Sequence, residues 1–326
     1  VAGGTPAMTS MLIVAGIDAF GTHAHPLYVQ PQLDQPFEVN VGRWFFKRRA
    51  QATLREQLKL YAYTSARATF DQDRDLIDPN VEEQALLATL LTYAERRLAF
   101  DFRRARAALA EAVTQASGDL QPEITYRQRE LQTRDRAALL AELIHSTRIK
   151  YELGDYADFT QRLFRFQESS LRHLALEMGM RCKDEGCEYI DMDWARNQPS
   201  LMAYLADYEF PSGERHPVEI DGRSLNRISL GAIVDFYVQT DETWSPMAET
   251  VDQLRRLSSV AQLRNKGLAG HGFVGIGKAD LTEVFGKSPD EIIPLLETIY
   301  GSIFDRPVDD SPYDAVNTII TGLLDA

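Results

Sequence analysis

Cysteine is almost missing from this chain: Cys182 and Cys187 are the two in 326 residues. Two cysteines cannot staple a chain of this length, and two thiolates fall short of the four ligands of a structural zinc site. A reducing, cytoplasmic setting is the simplest expectation. Long apolar runs are missing as well. The longest, Met11 to Phe20, is interrupted by Asp18 and covers about half of the ~20 residues needed to cross a bilayer, so no membrane span is expected. Basic residues are outnumbered, 35 Lys and Arg against 48 Asp and Glu, for a net charge of −13. That excludes coating of nucleic acid by bulk charge, because phosphate binding rests on clustered Lys and Arg. Any RNA contact has to be local. No cluster of His and Asp stands at ligand spacing, and the two carboxylates of Asp191-Met192-Asp193 point differently on a regular element. Metal-dependent nuclease chemistry is therefore disfavoured. There is no internal repeat and no low-complexity tract. The chain opens on Val1, with neither a start Met nor a secretory leader, directly before a glycine-rich stretch. The expectation is that on the order of 100–150 further residues, about one domain, precede it.

What is present suits a globular protein of two domains, or one domain with a helical insertion: 44% hydrophobic and 25% charged residues. Gly3 and Gly4 permit a tight turn, Thr5 is a candidate N-cap and Pro6 fits the first helical position, so a helix should run to about Ala19 and stop at Gly21. Leu27-Tyr28-Val29 after Pro26 reads as a brief strand, the edge of an open α/β sheet. From Arg43 to Ser117 there is no glycine and a single proline, Pro79, and Leu, Ala, Arg and Glu dominate. This reads as a helical bundle with turns at Asp78-Pro79, Gly118 to Pro122 and Gly154-Asp155, and helices of about 25–35 residues between them. Tyr156 to Met180 is an amphipathic helix with Phe159, Leu163, Phe166, Ser170 and Leu174 on one face. An Asp221-Gly222 turn suggests a hairpin, and helices should follow over Ile228 to Val238 and Met247 to Leu263.

The second of these leads into LRNKGLAGHG, residues 263–272. Arg264 and His271 are seven positions apart, roughly 10 Å along a helix axis, and Gly267 with Gly270 would bend the chain so that both side chains reach one phosphate. Imidazole can give or take a proton near neutral pH, and guanidinium suits the negative charge that develops on a phosphorane. Asn265 can bond the phosphate or fix the imidazole. None of the other five histidines, His23, His25, His145, His173 and His216, has an Arg five to seven residues before it, and surface or capping roles are expected for them. On the residues alone a second reading stands beside this one, a helix end capped by a His-Gly pair. Of three basic clusters (Arg43, Lys47, Arg48 and Arg49; Arg103, Arg104 and Arg106; Arg255, Arg256, Arg264 and Lys266), only the last lies beside the motif. Arg165 and Glu168, three apart on one face, suggest a structural ion pair.

The R-N-x5-H arrangement resembles the R-x4-6-H signature of HEPN ribonucleases. GDYADFTQRLFRFQE, residues 154–168, is similar to the opening helix of the HEPN region in type III CRISPR-associated ribonucleases that carry a CARF sensor, and GGTPAM, residues 3–8, to the glycine-rich loop of that sensor. The resemblance implies a mostly α chain with an α/β part: the C-terminal remnant of a Rossmann-like CARF domain over 1–48, a helical linker domain over 49–154 and an α-helical HEPN domain over 155–326. It implies a homodimer that cuts single-stranded RNA with Arg264, Asn265 and His271, needs no metal or other cofactor, and is activated by cyclic oligoadenylate bound at Gly3, Gly4 and Thr5. A two-fold axis beside a motif with one His and one Arg would bring in the partner's set and make the site composite. Two alternatives stand: a HEPN ribonuclease or toxin without second-messenger control, and a nucleotide-binding dimeric regulatory scaffold.

Overall fold

The computed structural model describes residues 6–25, 27–28, 37–38, 41–77, 81–132, 135–184, 186–210, 212–220, 225–267 and 272–325. Helix α1 (Pro6–Phe20) is followed by two two-residue strands, β1 (Leu27–Tyr28) and β2 (Phe37–Glu38), paired antiparallel. Then come α2 (Val41–Lys59), α3 (Tyr63–Ile77), α4 (Val81–Leu98), α5 (Phe102–Gln115), α6 (Leu120–Glu130), α7 (Arg136–Glu152) and α8 (Tyr156–Glu177). Short helices α9 (Met192–Arg196) and α10 (Pro199–Ala206) lead to a hairpin of β3 (Tyr208–Glu209) and β4 (Arg215–His216). The rest is α11 (Arg227–Thr240), α12 (Ala248–Lys266), α13 (Lys278–Phe285), α14 (Ile292–Phe304) and α15 (Pro312–Asp325). The chain is thus mostly helical, as expected. No helix among the described residues is long and apolar enough to cross a membrane.

Two compact units result, one of residues 1–133 with 310–326, the other of residues 134–309. In the first, α2 to α5 pack as successive antiparallel neighbours around Leu54, Leu58, Phe70, Leu87 and Leu109, all buried. Helix α15 returns to pack on α2 and α4. Asn317 donates to the Leu58 carbonyl near the end of α2 and so ties α15 to that helix. In the second unit α8 is central, against α7, α11 and α12. Its buried face is Phe159, Leu163, Phe166, Ser170 and Leu174, the stripe read from the sequence, with Gln167 also inside. Helix α7, grouped by composition with 49–154, packs in this unit on α8 and α14.

The helices of the first unit are about half the expected length, and the cause is specific. Tyr61 (φ 50°) and Phe100 (φ 59°) adopt the left-handed conformation without being glycine. Ala62 N donates to Gln57 O and Tyr61 N to Leu58 O, and Asp101 N to Arg96 O and Phe100 N to Arg97 O, the paired bonds of a Schellman ending. Each expected long helix is therefore a hairpin of two. Gly118 and Gly154 take positive φ at the turns read from the sequence.

Cys182 and Cys187 are joined in a disulfide across a turn, their Cα atoms 5.0 Å apart. Four intervening residues are enough for a turn, fixed by the Asp184 carboxylate accepting from the amides of Glu188 and Tyr189, to bring the thiols together. The Asp221-Gly222 turn lies outside the described residues. The hairpin that is described, β3–β4, stands just before it.

Candidate functional site

The site is built on the meeting of α8, α11 and the end of α12. Helix α12 stops at Lys266, and Gly267 leaves it in an extended conformation, φ −90° and ψ 176°. Ile276 of the returning segment lies on Gly267 so closely that a Cβ there would be 2.9 Å from its Cδ1. Ile276 is thus packed against the end of the helix. Arg264 occupies the last turn, where a cation complements the carbonyl end of the helix dipole. Its guanidinium carbon stands 3.8 Å from the centre of the Phe164 ring of α8, and its Nη2 donates to Asn265 Oδ1 at 3.3 Å. Its Nε is buried with no hydrogen-bond partner. Asn265 is exposed. His271, with Leu268, Ala269 and Gly270, lies outside the described residues, and so do Gly3, Gly4 and Thr5. Of the six candidate site residues the structure therefore places Arg264 and Asn265, side by side.

A second guanidinium reaches the same helix, α8. Arg227 is the first residue of α11, following Asn226, whose side chain accepts from the amides of Ile228 and Ser229 in a capping box. Its Nη1 reaches Gln167 Oε1 at 3.4 Å. Gln167 is 1% exposed and ties α8 to α12 by donating to Leu254 O at 2.6 Å and to Ser258 Oγ. Burial, and then the positive charge of Arg264, push the Arg227 guanidinium below its ordinary value. A cation at the first position of a helix also meets the wrong end of the dipole. Among the described residues no carboxylate pairs with Arg227 or Arg264. Two partly desolvated guanidiniums without counter-charge make a place where an anion relieves several unfavourable terms at once.

The neighbouring basic residues are different. Arg255, in the cluster marked by the sequence, is bound to the buried Asp235 and to Asp252. Arg165 pairs with Glu168 at 3.0 Å, the structural ion pair expected, and Arg172 closes on the same carboxylate at 2.9 Å. Asp191 caps α9, and Asp193 pairs with Arg196. Among the described residues no group of three or more His, Cys, Asp or Glu is placed to hold a metal ion. Sequence reasoning missed Arg227 and Gln167. The available signals were a glutamine amid the apolar stripe of α8 and an arginine at a helix start, where acidic residues are favoured.

No protein-family model matches the chain, and no curated protein matches it. The solved structures do. Csm6 of Enterococcus italicus, bound to cyclic hexa-2′-fluoro-hexa-dAMP, is similar with a TM-score of 0.63 at 12% sequence identity, covering 98% of this chain and 72% of that one. At this identity the likeness is one of fold.

Proposed function

We propose that this chain is a HEPN-type endoribonuclease that cuts single-stranded RNA without a metal ion, as a homodimer switched on by cyclic oligoadenylate. The observation that carries the reading is the pair Arg264 and Arg227, two guanidiniums without a described counter-charge, at the R-N-x5-H motif. In this reading the ribose 2′-oxygen attacks the adjacent phosphorus, its proton passes to a histidine, and the bond to the 5′-oxygen breaks as that oxygen takes a proton. His271 and its copy in the partner supply the acid and the base, Arg264 meets the charge that develops on the phosphorane, and Asn265 holds the phosphate or the imidazole. Arg227 joins Arg264 on the phosphate. No electrophilic metal is required by this chemistry.

Residues 1–48 serve as the C-terminal part of the sensor, 49–154 as the helical linker and 155–326 as the ribonuclease. Gly3, Gly4 and Thr5 immediately precede α1, where free backbone N–H groups suit a phosphate of the activator. Helix α1 exposes Met8, Met11, Leu12, Val14 and Phe20, the kind of apolar surface that pairs with another copy.

The test uses labelled RNA with each cyclic oligoadenylate and with none, in EDTA, beside Arg264→Ala and His271→Ala. Each substitution is expected to lower cutting by at least ~100-fold, the size of a lost acid–base or charge-stabilising group. Products should end in a 2′,3′-cyclic phosphate. Wild-type cutting by either variant, or strict dependence on magnesium or manganese, overturns the mechanism. Equal rates with and without cyclic oligoadenylate overturn the switch.

A further inference from the structure

Beside Arg227 the second unit has a pocket of about 210 Å³. Tyr208, Phe210 and Ile228 give it apolar and aromatic faces, and Gln167, Arg227 and Ser258 give it hydrogen-bonding groups. Sites for drug-sized ligands run to roughly 300–1,000 Å³, so this one has room for a single planar ring system rather than a whole nucleotide. Two of its walls, Gln167 and Arg227, belong to the guanidinium site. Whatever fills the pocket lies against the Arg227 guanidinium.

The walls are fixed before any ligand arrives. Phe210 stands edge to face with Tyr208, ring centres 5.0 Å apart, and the Tyr208 hydroxyl donates to Asp235 at 2.5 Å. The space itself depends on Gly231, in the interior of α11, which also lines the pocket. Alanine is the better helix former there, and packing does not forbid it. A Cβ at 231 would meet only Leu171 Cδ1, at 4.0 Å, an ordinary contact. A glycine that neither backbone conformation nor close packing requires leaves the cavity open.

We propose that this pocket holds one nucleobase of the RNA beside the scissile phosphate, and so sets the base preference at the cut. The proposal rests on the ribonuclease reading. Single-stranded RNA is recognised by splayed bases that stack on aromatic rings and guanidinium planes and bond along their edges, and the pocket offers each of these next to the phosphate site. A neighbouring base seated there also fixes the strand, so the pocket contributes to KM as well as to sequence choice.

The test fills the pocket instead of cutting it away. Gly231→Leu removes no side chain, Gly231→Ala is the control that adds little volume, and Phe210→Ala and Phe210→Tyr form a second, independent pair. The full chain cuts a random-sequence RNA with activator, and the cut ends are sequenced beside KM for a short oligonucleotide. Wild type should favour particular bases at one position flanking the cut. Gly231→Leu and Phe210→Ala should flatten that preference and raise KM about 10-fold, the size of a lost stacked base, while Gly231→Ala and Phe210→Tyr keep it. A preference unchanged in folded Gly231→Leu and Phe210→Ala, or no preference in wild type, overturns the proposal. If Arg264→Ala abolishes cutting while Gly231→Leu keeps the wild-type profile, the pocket proposal alone fails. If no cutting is seen, anisotropy with labelled tetranucleotides decides: equal affinity of wild type and Gly231→Leu overturns the pocket.

Discussion

Arg227→Met should make the protein more stable and less active, and the expected size follows from its surroundings. Methionine keeps the length and packing of the side chain and removes the charge. Three unfavourable terms disappear. A cation at a helix start costs about 0.3–1 kcal/mol, repulsion from Arg264 in a partly desolvated setting is on the order of 1 kcal/mol, and the burial that pushes the Arg227 guanidinium down no longer matters. Against these stands one long hydrogen bond to Gln167, 3.4 Å, contributing no more than about 1 kcal/mol. The balance is a stabilisation of about 0.5–1.5 kcal/mol, or a rise in Tm of about 2–5 °C for a unit of this size. The gain should shrink at 1 M salt, where exposed charges are screened. Inorganic phosphate, which binds only the folded site, should raise the wild-type Tm and leave that of Arg227→Met nearly unmoved. RNA cutting should fall at least ~10-fold. A variant that melts lower than wild type and cuts as well would refute the argument, for it would mean that Arg227 serves the fold and not an anion.

Two further outcomes follow from the second unit. Asp235, 3% exposed, accepts from Tyr208 and pairs with Arg255. Breaking a buried pair costs ~3–5 kcal/mol, and because the Arg255 side chain is 39% exposed and can turn to water, Asp235→Ala should cost about 2–4 kcal/mol in urea unfolding; a loss under about 1 kcal/mol would refute a structural role. His173 stacks on Phe304, ring centres 4.7 Å apart, and burial lowers its pKa, with the Arg136 charge adding to this against the opposing pull of Glu177 and Asp135. The neutral form is the folded one, so its contribution is present above the unfolded value of about 6.5 and lost as pH falls below it. Relative to His173→Phe, wild type should lose Tm as the pH falls below about 6.5, and parallel curves would exclude the histidine.

The amphipathic helices were legible because burial writes itself into sequence with a period of 3.6: the stripe of α8 and the extents of α11 and α12 appear as read. The chain breaks were legible where glycine makes them, at Gly118 and Gly154. They were hidden at Tyr61 and Phe100, because the same left-handed ending is imposed there by tertiary packing on aromatic residues that local preference would not place in it. Tyr61 shows how. Its hydroxyl donates to Asp314 of α15 at 2.6 Å, across more than two hundred residues of sequence. A turn fixed by a partner that distant leaves no local trace.

The candidate site divides along the same line. Arg264 and Asn265 could be found because the motif is contiguous and its glycines mark the end of α12. Arg227 and Gln167 could not, since each has a complete local explanation: the first residue after an N-cap, and a polar residue on a long helix. Their meaning comes from what is absent around them once the chain is folded. Arg255, Arg165 and Arg172 have carboxylates within 3.0 Å or closer, while among the described residues none pairs with Arg227 or Arg264. Composition could count the thirty-five basic residues but could not sort paired from unpaired. In a chain of net charge −13, two partly buried arginines left without a carboxylate point to an anion supplied from outside.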